Sequence, residues 1–196
     1  MWNRPLGQPI AVVGIAVAVA VAVALLGPSA TAVDDVADAV TRRTADVAVA
    51  CWFAAVALIL TDRRPWARAF WVCGGGAFLV HVATAFDQIH NWSHDAAFDH
   101  VKDVSGFGPG VLVSYGFSLV WTADALWWWA SPASYDRRPI WLNRSVQVFI
   151  AFVVFNGTVV YETGFIRYAG IVAFVALAAL LARQLTHESG SRRAAA

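Results

Sequence analysis

Residues 8–27, QPIAVVGIAVAVAVAVALLG, carry no charge, and from Ile15 to Leu25 they alternate in strict twos. A period of two is the signature of a half-buried strand. Here, however, both alternating residue types are apolar, so neither face differs from the other. A lone strand would also leave its backbone groups unsatisfied in lipid, whereas a helix satisfies them internally. About 20 apolar residues at 1.5 Å each span the hydrocarbon core of a bilayer. The stretch reads as a membrane helix, and with it the chain as an all-α polytopic membrane bundle.

Composition agrees. Of 196 residues, 59% are hydrophobic and 14% are charged, against about 25% charged in soluble domains. A net charge of +1 gives no electrostatic basis for binding nucleic acid. Five further apolar runs lie near 46–61, 69–86, 110–130, 145–161 and 168–184, for about six transmembrane helices. The count falls to five if the first is a cleaved signal peptide. Arg4 ahead of the apolar run, the break at Gly27-Pro28 and the small residues Ala30-Thr31-Ala32 fit such a signal, but the run exceeds the usual 7–15 residues. The chain thus divides into a first span or signal-anchor (1–27), a membrane bundle (28–185) and a short polar tail (186–196), expected to be disordered.

Orientation follows from the arginines and the single lysine. One side collects Arg4, Arg63, Arg64, Arg68, Arg137, Arg138, Arg144, Arg183, Arg192 and Arg193, and the other Arg42, Arg43, Lys102 and Arg167. The first side, with the C-terminus, is expected to be cytoplasmic in a bacterial inner membrane. The loop at 87–109 then faces the periplasm. Trp127, Trp128 and Trp129 read as an aromatic belt at the inner interface.

That outward loop holds the chemistry. Residues 81–103, HVATAFDQIHNWSHDAAFDHVKD, contain four of the five histidines and four aspartates. Read as a continuous helix over 86–98, the segment places Asp87, His90 and His94 within about 60° of one another, with Ile89, Trp92 and Ala96 opposite. Two imidazoles one turn apart can grip one metal ion. Asp87 becomes a third ligand or orients His90. A continuous helix points His100 about 80–120° away, so either Asp87 or, if the chain turns back, His100 completes the expected ligand set, with His81 beneath it. The spacing of His90, His94 and His100 equals that of a zinc protease signature. Asn91 and Ala97 replace its glutamate and glycine, however, which removes the general base and the turn. Five histidines are too few for a membrane di-iron hydroxylase, and one methionine disfavours copper(I) transport. The expected cofactor is a transition metal: zinc, iron or copper.

Beneath the loop, counting along each span places His81, Cys51, Ser114, Tyr115 and Asn156 at one depth, with Tyr161 and Glu162 at the rim. Asp124 lies about 13 Å deeper than His81 and needs a partner, for which Arg68, Arg144 or Arg183 are within reach. Three functions follow: a metal-dependent hydrolase or oxidoreductase, a non-catalytic accessory subunit in a complex or homo-oligomer, or a pH-responsive, proton-handling protein.

His90-Asn91-Trp92-Ser93-His94, Ser114-Tyr115, Trp121-x-x-Asp124-x-x-Trp127-Trp128 and Phe155-Asn156-Gly157-Thr158-Val159-Val160-Tyr161-Glu162 together resemble a family of small polytopic proteins from environmental bacteria. The resemblance covers roughly 70–175 and omits the first span. It implies that these segments form one module, and it carries no activity.

Overall fold

The structure, a computed structural model, describes residues 33–194, with side chains from 39 to 186. The expected first span at 8–27 lies outside these residues. Every regular element among them is helical: α1 (Val33–Leu60), α2 (Arg64–Gln88), α3 (His94–Ser105), α4 (Gly110–Ala130), α5 (Pro132–Asp136), α6 (Ile140–Phe155), a π-helical turn (Asn156–Val160) and α7 (Gly164–Ala194). Helix α7 runs past Leu185, where the sequence reading ended the bundle.

Among the described residues, four helices are long and apolar enough to cross a membrane: Ala39–Leu60, Arg64–Gln88, Ile140–Val160 and Gly164–Thr186. A fifth span counts only if α3 and α4, bent by 107°, are taken together. Ser114, Ser118, Thr122 and Asp124 dilute α4, which explains why it does not qualify alone. Each of the four starts earlier than its expected bound, because helix geometry continues through the polar and arginine-bearing residues that precede the apolar run.

Helix α1 packs along α2, α2 against α4, and α4 against α6, while α7 leans on α1 and on the π-helical turn. The arginine-rich connections at 61–63 and 131–139 lie together, since Arg64 donates to Asp136 at 2.6 Å. At the centre, Trp52, Trp71, Trp121 and Ile150 are fully buried. In lipid such packing draws on contact rather than on the expulsion of water. The rings therefore matter through their geometry, with Trp71 and Trp121 centroids 5.8 Å apart and Phe78 edge-on to Phe117 at 4.6 Å. Each such pair contributes about 0.5–1.5 kcal/mol. The Trp121 indole donates to the Trp71 carbonyl at 3.2 Å, an approach that Gly74 permits. A Cβ there would stand 2.7 Å from Trp121 Cζ2 and 3.1 Å from Cys51 Cβ.

The expected tryptophan belt divides. Trp128 is buried and stacks on Tyr135 at 4.7 Å, and Trp127 donates to Ser134 at 3.3 Å. Only Trp129 of the three is exposed, as are Trp66 and Trp141 at the same end. Those three form the belt.

Candidate functional site

The histidine segment is not a continuous helix. Helix α2 ends at Gln88, and both Ile89 N and His90 N donate to the Ala85 carbonyl at 3.0 Å. Asn91 and Trp92 then take left-handed conformations, with φ of 48° and 56°. Asparagine tolerates this region and tryptophan does not. The turn is held by three bonds: Trp92 N to Phe86 O at 2.8 Å, Ser93 N to His90 O at 2.8 Å, and the Trp92 indole N–H to Asp87 Oδ1 at 3.1 Å. Ser93 caps α3 by accepting from Ala96 N at 3.2 Å, and Gly106, with φ of 76°, closes its far end. Gly108 then passes beneath Phe98 so closely that a Cβ would stand 2.4 Å from the ring. Helix α3 is thereby laid across the ends of α2 and α4.

This turn changes which histidines meet. His90 and His94 do not share a helix face. Instead His90 faces His100, with ring centroids 5.2 Å apart and planes at 63°. His90 is buried and His100 is exposed. Burial first, and the neighbouring His100 second, hold the His90 imidazole below the ordinary histidine range. His94 goes elsewhere: its Nδ1 shares a hydrogen bond with the Tyr115 hydroxyl at 2.9 Å, tying α3 to α4. Asp87 is occupied by the Trp92 indole. On the outward face of α3, Asp95, Asp99 and Asp103 recur every four residues, all exposed. That carboxylate row gives the surface around the pair a field that attracts cations.

The residues expected in one layer below the loop have separate hydrogen-bond partners. His81 Nδ1 lies 2.8 Å from the Thr41 carbonyl. A carbonyl only accepts, so Nδ1 carries the proton and Nε2 is the atom left to titrate. His81 thus bridges α1 and α2 and stands about 13 Å along α2 from His90, by helical rise. Cys51 is buried near Gly74, the Ser114 carbonyl accepts from Ser118, and Asn156 donates to Phe152 O at 2.8 Å within its own helix. A residue the sequence reading passed over joins His81 here: Asp46 interacts electrostatically with Glu162, Arg42, Arg43 and His81. Its position at the edge of an apolar run hid it.

Asp124 does have a buried cationic partner, but it is Arg138 rather than Arg68, Arg144 or Arg183. Their side chains are 4% and 3% exposed. Arg138 donates to Asp124 Oδ1 and to Asn143 Oδ1, and its guanidinium lies 3.7 Å over the Tyr135 ring. Tyr135 donates to Asp124 Oδ2 at 2.8 Å. Burial first, then the Asp124 charge, push the Tyr135 hydroxyl far above its usual range, so it stays a donor. This network is closed on itself and serves to hold α5 beneath α4.

Among the described residues, no three His, Cys, Asp or Glu side chains converge as a metal-binding group. The His90–His100 pair brings two imidazoles into contact. No family model matches the chain, and no curated protein or solved structure matches it.

Proposed function

We propose that the chain is a bacterial inner-membrane protein whose periplasmic face carries a transition-metal site on His90 and His100, completed by another molecule. The observation behind this reading is the convergence of those two imidazoles, one buried and one exposed, at a helix, α3, that also carries three exposed aspartates. Imidazole suits zinc, iron and copper. A catalytic zinc takes about three protein ligands, so a two-histidine site leaves at least one position for a second copy of this chain or a membrane partner. That favours an accessory subunit that presents or shares a metal over a self-sufficient hydrolase or oxidoreductase. Neutral imidazole is the ligand, and the depressed His90 remains neutral further into the acid range than an ordinary histidine.

The test is metal content. Purified full-length protein, reconstituted with zinc, is expected to hold between half and one equivalent per chain, the lower value marking a site shared by two copies. Less than about a tenth of an equivalent of any transition metal ends the reading.

Orientation has its own test. A cysteine replacing exposed Asp99 should react with an impermeant thiol reagent in intact cells, and one replacing Ala133 should not. Cys51 and Cys73 are buried, so background labelling is low. The reverse pattern would place the histidine pair in the cytoplasm.

A further inference from the structure

At the arginine-rich end, opposite the histidines, the last turn of the α1 span and the last turns of the α7 span enclose a groove of about 350 Å³. Leu60, Thr61, Leu180, Arg183 and Gln184 line it. We propose that it holds one anionic phospholipid, with the headgroup phosphate on Arg183 and the acyl chains along Leu60 and Leu180. Leu180, Arg183 and Gln184 are spaced at i, i+3 and i+4, so they share one helix face. Arg183 lies in the apolar stretch Gly164–Thr186 of α7, toward its arginine-rich end. At that depth an arginine extends its head into the interface while its stem stays in lipid. The described residues place no carboxylate on its guanidinium, whereas Arg64 and Arg138 are both paired with aspartates.

On its α1 side the rim offers little else to a phosphate. The Thr61 hydroxyl donates to Ala57 O at 2.9 Å, and the amides of residues 61–63 all donate to carbonyls of α1. Recognition of the anion therefore concentrates on Arg183. Basic pockets between helices at this interface suit anionic headgroups, at about fivefold in affinity per arginine.

Native mass spectrometry of the full chain from nanodiscs of mixed phosphatidylglycerol and phosphatidylcholine reads the result. The wild type should retain phosphatidylglycerol selectively. Arg183→Gln should retain it about fivefold less, and Arg183→Lys should fall between, keeping the charge without the planar fork. Arg137→Gln, at an exposed arginine on the same end, should leave retention unchanged. Equal losses in the two glutamine variants would reduce the effect to diffuse surface attraction. Absence of any preference in the wild type would remove the site. Displacement of the lipid by millimolar inorganic phosphate would reassign the groove to a soluble phosphate, overturning the lipid.

Discussion

Arg138→Ala is expected to cost the fold about 3–5 kcal/mol, because it strands the Asp124 carboxylate in the interior without its cation. The side chains on both sides of the pair are almost wholly buried. The same substitution removes the cation over the Tyr135 ring and a donor to Asn143. Asp124→Ala should be comparably damaging, since it leaves a buried guanidinium that cannot be deprotonated. In a chain of this size each kcal/mol moves the melting midpoint by about 2–4 °C, so either single variant should melt on the order of 10 °C lower or fail to emerge as a monodisperse peak. The double variant Asp124→Asn with Arg138→Met should recover much of that loss, because neither partner then carries a buried charge. A double variant that behaves no better than the worse single one would mean that the charges are incidental and that the packing of Tyr135 on Trp128 holds α5 in place.

That network also marks where the sequence stopped being legible. A charge deep in an apolar run announces that it needs a partner, and the need for a buried cation was readable from Asp124 alone. The identity of the partner was not. Depth counting favours arginines at the ends of long helices, whereas Pro132 starts a short helix that folds Tyr135 and Arg138 back under α4. The spans were legible because uninterrupted apolarity is a solvent-level signal. Their ends were underestimated where arginine, proline and tryptophan continue the helix into the interface. Trp128 shows the same limit, since sequence cannot separate a ring facing lipid from one facing a neighbouring tyrosine.

The histidine segment failed differently. Its punctuation was present, with Ser93 as an N-cap and Gly106 as a left-handed C-cap, and α3 lies between them. The helical period of Asp87, His90 and His94 overrode that punctuation and carried a helix across Asn91, a residue suited to a left-handed turn. A helix in this segment was legible. Its position was displaced by more than half its length, from 86–98 to His94–Ser105, and that displacement exchanged the neighbour of His90 from His94 to His100.

The exchange yields the sharpest expected result on the proposed site. His90→Ala and His100→Ala should each empty it, lowering metal affinity by more than about a hundredfold, beyond the range seen on losing a group that merely orients a ligand. His94→Ala should leave occupancy close to wild type, because the turn brings His94 to Tyr115 while His90 meets His100. It should instead loosen α3 by about 1 kcal/mol, the usual worth of one hydrogen bond, and Tyr115→Phe should match it. Zinc titration by isothermal calorimetry on each purified variant reads the first effect, and hydrogen exchange over 94–105 reads the second. Acidification adds a sign. Protons compete with metal where the imidazole ligands charge, so retention should fall as the pH is lowered. Burial opposes charging of His90, so removing its cover with Phe86→Ala should shift the decline toward higher pH. If His94→Ala empties the site while His100→Ala leaves it filled, the turn at Asn91 and Trp92 does not persist when metal binds, and a continuous helix forms the ligand pair.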